Sequence, residues 1–304
     1  MQTGTALLNE LTEERVNVVA VTNDGSWVIA ADGGQYSQHS TLRVYQLQAS
    51  GGTPTYVKTD EYDSGSNNIS TAAISQDGKF VVIGSANKQF NPSKALVKLF
   101  SVVNGKLTLQ NTWQSDALYV EFVDTNKDGS VFAAALQNGQ IAAFESNTFP
   151  TTGVPSWTSQ INGAQPALHS CGGHNVYGVR VSSDGTRVVA GSNCSPDDAG
   201  GNVDMFSNPP KLDANGHPTY EWTFHTNRPV NPGVSMDGAA RYVAVADGHP
   251  LGTRGNFYLL DATTGRDLWN YQSGDMSWPI ALSFDGKYVV GGSDDGKIYF
   301  WKNY

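Results

Sequence analysis

Apolar and polar residues alternate in short bursts along this chain, and no stretch sustains the 3.6-residue apolar period of an amphipathic helix. The bursts recur. Six segments read as apolar strand, Asp-Gly turn, apolar strand: VNVVAVTNDGSWVIAAD, ISTAAISQDGKFVVIGS, LYVEFVDTNKDGSVFAAAL, VYGVRVSSDGTRVVAGS, VNPGVSMDGAARYVAVAD and WPIALSFDGKYVVGGS. Their turn aspartates are Asp24, Asp77, Asp128, Asp184, Asp237 and Asp285, at intervals of 53, 51, 56, 53 and 48 residues. Asp-Gly between β-branched runs predicts a hairpin, because glycine accepts the positive φ that a tight turn demands. A third apolar segment follows each hairpin: LRVYQL, ALVKLFSV, GQIAAFES, GNVDMFSN, GNFYLLDA and GKIYFWKN. The first five units add a fourth, PTYVKTDEY, KLTLQNTW, PSWTSQI, PTYEWTF and DLWNYQ.

Four short strands per unit of about fifty residues predict an all-β fold, a six-bladed β-propeller of four-stranded antiparallel blades. The sixth unit ends at Tyr304 after its third strand, and a spare apolar stretch, Thr5–Leu11, precedes the first hairpin. That stretch is expected to supply the outer strand of the last blade and so close the ring, removing an exposed edge. The domain expectation is a single propeller over residues 1–304 with no linker.

SFDGKYVVGGSDDGKIYFW (283–301) resembles the repeat of WD-repeat and YVTN-type propellers, and YLLDATTGRDLWNYQ (258–272) resembles the pyrroloquinoline-quinone-type repeat. In the quinone-type repeat, the resemblance implies, an Asp, a Gly and a Trp lock blade to blade. It does not extend to a quinone site, because the adjacent-cysteine pair of those dehydrogenases is missing. Propellers host enzymes, scaffolds and lectins alike, so the resemblance implies a fold and leaves function to particular residues.

Composition narrows the classes. Net charge is −9, from 19 basic and 28 acidic residues, which argues against a nucleic-acid binder needing a basic stripe. No apolar run approaches the ~20 residues of a membrane span. Disorder is excluded by 11% aromatic and only 15% charged residues. The opening MQTGTALLNELTEE is no secretory leader. The only cysteines, Cys171 and Cys194, flank one hairpin, and a displaced loop brings them within disulfide reach. The pairing implies an oxidising compartment, so a secreted, periplasmic or cell-surface protein is expected, its leader removed; two buried free thiols are the alternative.

Chemistry is sought on the loops entering the innermost strands and on those joining second to third strands, which share one face of a propeller. The latter are long in four units: GGQYSQHST, ANKQFNPSKA, NCSPDDAGGN and GHPLGTRGN. The entry loops carry Arg15, Asn17, Asn67, Asn68, Asp116, His169, His174, His225, Asn227, Arg228, Asp275 and Trp278. Of these, His174, Asn227, Arg228, Asp275 and Trp278 are the candidate binding residues, set on the entry loops of three consecutive units. Trp278 has two readings, an exposed anchor or packing between blades. Arg180 and Glu121 interrupt apolar inner strands of neighbouring units and are read either as a channel acid–base pair or as an ion pair bridging blades. Arg180 falls in register with Ala20, Ala73 and Ala281, which suggests the channel face. DTNKDGS (124–130) opens like a calcium loop, but positions nine and twelve are Phe132 and Ala135, so a lengthened turn is expected and no cofactor, with calcium a weak alternative. Asp197, Asp198 and Asp204 form a second acidic group. Catalytic signatures are missing: no Gly-x-Ser-x-Gly, His-Glu-x-x-His or Walker loop occurs. The leading expectation is therefore a binding or assembly module for a protein or glycan partner. The competing one is an extracytoplasmic hydrolase or lyase, with His174 or His225 as acid–base and Arg228 as anion clamp.

Overall fold

A computed structural model of the chain describes residues 6–33, 39–50, 53–87, 92–160, 175–193, 200–249 and 253–303. The chain divides into two compact units, Met1–Val120 and Glu121–Tyr304. Both are all-β.

Unit 1 holds two four-stranded antiparallel sheets. The first orders β1 (Val16–Val21), β2 (Trp27–Asp32), β3 (Thr41–Ser50) and β4 (Thr53–Asp63); the second orders β5 (Asn68–Ile74), β6 (Phe80–Asn87), β7 (Lys94–Val103) and β8 (Lys106–Ser115). They pack through Ile29, Leu42 and Val44 against Ile74, Val81, Ile83 and Phe100. Asp32 closes β2 from inside: its Oδ1 accepts the Thr41 N–H at 2.7 Å, and its Oδ2 accepts Arg43 Nη1 at 2.7 Å. Residues 6–11 form no strand, and the Leu7 carbonyl accepts the Tyr56 N–H at 3.2 Å, beside β4. The outer strand expected of Thr5–Leu11 is thus not confirmed, since its described residues form no strand.

Unit 2 begins within β9 (Val120–Thr125), which is followed by β10 (Val131–Leu136), β11 (Gln140–Glu145), the single-turn helix α1 (Phe149–Thr152) and β12 (Trp157–Gln160). The next sheet contains β13 (Val176–Val181), β14 (Arg187–Ser192) and β15 (Gly201–Ser207); a two-stranded ribbon, β16 (Lys211–Leu212) and β17 (Pro218–Thr219), precedes its fourth strand, β18 (Trp222–Thr226). Then come β19 (Val230–Met236), β20 (Tyr242–His249), β21 (Thr253–Asp261) and β22 (Asp267–Gln272) in a third four-stranded sheet. The last sheet, β23 (Ser277–Leu282), β24 (Tyr288–Ser293) and β25 (Lys297–Lys302), has three strands among the described residues.

Successive sheets of unit 2 pack face to face. Ala133, Ile141 and Ala143 meet Val179, Val188 and Phe206; Val189 and Met205 meet Val234, Val243 and Tyr258; Phe257 and Leu259 meet Ile280 and Val289. Indole N–H groups tie neighbours together, Trp157 to Asn208 Oδ1 at 2.8 Å and Trp222 to the Ala262 carbonyl at 2.9 Å. Gly265 takes φ +69°, and a Cβ there would lie 2.6 Å from the Trp222 ring, so the turn after β21 accepts only glycine against that indole. The opposite face of the last sheet leaves Ile298 and Phe300 exposed.

The Asp-Gly turns are braced locally. In four of them a hydroxyl two residues before the aspartate (Thr22, Ser75, Ser182, Ser283) donates to its carboxylate at 2.7 Å. The same oxygen accepts the N–H five residues along (Trp27, Phe80, Arg187, Tyr288) at 2.9–3.0 Å. Five of the six glycines take φ between 67° and 74°. The fifth repeat departs: Ala240, not Gly238, has positive φ, at 50°, because the turn is longer and Asp237 instead caps the Arg241 and Tyr242 N–H groups at 2.6 and 2.9 Å.

Candidate functional site

Two clefts open in unit 2. The first is polar, about 490 Å³, and is lined by Asn227, Arg228, Arg254, Asn256 and Gln272. Its floor is Asp247 at the end of β20, fully buried. Asp247 accepts the Asn256 N–H at 2.5 Å, Asn256 Nδ2 at 3.0 Å and Tyr258 Oη at 2.8 Å from β21, and the Arg228 N–H at 3.1 Å from the loop after β18. One carboxylate therefore fixes both walls. Burial pushes Asp247 upward, against the pull of Tyr258 and the backbone donors, and burial with the Asp247 charge pushes the Tyr258 phenol well up. Asp32 stands at the same place in the first sheet, but there Arg43 neutralises it. Here no guanidinium does. Those of Arg228 and Arg254 instead face the cleft, and neither forms an ion pair among the described residues.

The second cleft is apolar, about 660 Å³, and lies between β9, β13 and the last sheet. Phe122, Trp278, Ile280, Val290 and Ile298 line it, with Arg180 as the one charged group among the described residues. The Arg180 guanidinium sits 4.4 Å from the centre of the Phe122 ring, and its Nη1 donates to the Val179 carbonyl at 3.0 Å. Arg180 and Ala281 share this cleft, as their common register suggests. Glu121 does not join them. Its Oε1 accepts Asn175 Nδ2 at 3.2 Å on the other face of β9, and the acid whose charge acts on Arg180 is Asp124. Counting back four residues from each turn aspartate reaches Asp124 and Arg180 alike, so the sequence held the signal. Phe122 and Asp124 alternate onto one face of the strand, which is how the Asp124 charge comes to act on Arg180.

Trp278 is 43% exposed, its Nε1 donating to Asp294 Oδ1 at 3.0 Å, and it also borders a small groove with Asp294, Lys297 and Ile298. Asp275 lies in neither cleft: its Oδ1 accepts the Met276 N–H at 2.8 Å, while its carbonyl accepts the Gly255 N–H and the Ser273 hydroxyl. Exposed His225 is held by Nδ1 against Asn202 Oδ1 at 2.7 Å. His174, Cys171, Cys194, Asp197 and Asp198 lie outside the described residues. Oxygens expected of a calcium loop serve the turn instead. Asn126 Oδ1 accepts the Val131 N–H, Asp128 Oδ1 the Ser130 N–H, and Asp124 Oδ2 the Val181 N–H of the next sheet. Arg254, Asn256 and Gln272 were not singled out from sequence, although the first two belong to the long GHPLGTRGN loop.

Residues 165–195 and 279–302 match the family model of the WD domain, G-beta repeat. These two stretches are similar to the WD repeat. Together with the four-stranded antiparallel sheets, the matches are consistent with a WD-repeat β-propeller. WD repeats suggest a protein-interaction or assembly module. The second matched stretch spans the last sheet and so includes the wall of the apolar cleft. No curated protein matches the chain. No helix among the described residues is long and apolar enough to cross a membrane.

Proposed function

We propose that this chain is a binding or assembly module that engages a protein partner through the polar cleft, by capturing an acidic side chain or acidic segment. The observation that carries the reading is the guanidinium pair. In a chain of net charge −9, Arg228 and Arg254 converge on one cleft without a carboxylate partner among the described residues, and Asn227, Asn256 and Gln272 add amide donors around them. Paired guanidinium forks suit planar oxyanions, and arginine is enriched where interfaces concentrate their energy. Rim charges of this kind also speed association with an oppositely charged surface.

The test is capture from the source cells by cross-linking, comparing the unaltered chain with Arg228→Glu/Arg254→Glu. Partners recovered by the first and lost by the second, at unchanged melting temperature, support the reading; a partner set indifferent to the double reversal ends it. A glycan partner is the second reading, favoured by the exposed indole of Trp278, which offers a flat apolar face to a sugar ring. Glycan-array binding that disappears in Trp278→Ala would select it. Export to an oxidising compartment is part of the proposal and rests on the Cys171 and Cys194 spacing.

A further inference from the structure

The apolar cleft holds a charge in unusual company. Among the described residues its lining is aromatic, aliphatic and glycine apart from Arg180, with no acidic residue. Arg180 is half-buried. A guanidinium has five N–H donors. One Arg180 nitrogen serves the Val179 carbonyl, one face of the group covers Phe122, and no other hydrogen bond forms among the described residues. Asp124 offsets its charge only from beyond ion-pair distance, with Oδ2 committed to the Val181 N–H. Burial pushes Arg180 down from the usual arginine range and the Asp124 charge pulls it back up.

We propose that this cleft binds a small amphipathic carboxylic acid, with its carboxylate on the free edge of Arg180 and an aromatic or aliphatic body against Trp278, Ile280 and Val290. Three features select that ligand class. The volume, about 660 Å³, lies in the range of small-molecule sites, roughly 300–1,000 Å³. One guanidinium matches one carboxylate in a bidentate pair. A phosphate or sulfate would need further donors, and the described lining provides no hydroxyl, amide or ammonium group. An uncharged hydrocarbon would cover the half-buried N–H groups without giving them partners, which is costly. The inference is independent of the acidic-partner reading, since the two clefts share no residue.

The experiment is isothermal titration of the full chain with 4-phenylbutyrate and with 4-phenylbutyramide, which keeps the body and removes the charge. The acid is expected to bind, and the amide to bind at least roughly tenfold more weakly, the loss of one charge-assisted contact. Arg180→Met should weaken the acid by a similar factor and leave the amide unchanged. Ala281→Trp, which fills the cleft from its exposed wall, should abolish both. Equal binding of acid and amide, absence of binding by the acid at millimolar concentration, or full binding in Ala281→Trp would each overturn the proposal. Should Arg180→Met fail to fold, the acid–amide comparison on the unaltered chain still decides.

Discussion

Asp204 is buried on β15 with no cation beside it among the described residues, and replacing it tests how sheet packing treats a charge. It is 3% exposed, stands opposite Ala190 and Thr223 in register, and accepts the Thr223 hydroxyl at 2.6 Å. Burial raises its carboxyl from 3.8 to about 6, and the Thr223 hydrogen bond only partly opposes that. A carboxyl whose folded value lies above its unfolded value holds its proton more tightly in the folded state. Its contribution is therefore fully present below pH 3.8 and is lost as pH rises through about 6. That interval corresponds to ~3 kcal/mol. Asp204→Asn keeps the shape and an oxygen for Thr223 but cannot ionise. Its new N–H group lacks an obvious acceptor, at a cost of about 1–3 kcal/mol. The variant should thus be less stable than the parent at pH 4 and equal or more stable at pH 7.5. Urea unfolding of both proteins across pH 4–8 measures the difference, in which other titrating groups cancel. A difference that stays flat across that window would refute the reasoning.

Three further outcomes follow from the packing. Gly265→Ala should destabilise by at least ~2 kcal/mol, from positive φ and the 2.6 Å approach to Trp222, read by thermal unfolding; a neutral result would mean the indole is not seated there. Trp278→Ala should cost less than ~1 kcal/mol because the indole is 43% exposed, whereas ~3–5 kcal/mol would show it to be buried packing. Cys171 and Cys194 should be joined in natively exported protein, contributing roughly 3 kcal/mol by closing a loop of about twenty residues; two alkylatable thiols on intact-mass analysis would disprove the bridge.

The strands were legible because their signals are local. Ser75, Asp77 and the Phe80 N–H build one turn from six consecutive residues, and the same chemistry repeats where Thr22, Ser182 and Ser283 stand. Where the turn lengthens, locality fails: the fifth repeat moves positive φ to Ala240 and gives Asp237 a different pair of N–H groups. The clefts were only half legible. Asn227 and Arg228 were visible as polar entry-loop residues, but Asn256 is tied to Arg228 through Asp247, and Gln272 stands opposite Asn256 in register. Such a floor depends on strand order and register, which composition and spacing do not encode. Phe122 shows the same limit of a one-dimensional reading: an aromatic in an apolar strand gives no sign that it will carry a guanidinium.

Hydrogen exchange of the chain with and without a captured partner tests the interaction claim most directly. The account predicts slowed exchange at residues 226–230 and 253–257, the two walls that Asp247 holds together, and no such slowing in Arg228→Glu/Arg254→Glu. Protection confined to other parts of the chain, with these two segments exchanging at the free rate in the complex, would contradict it.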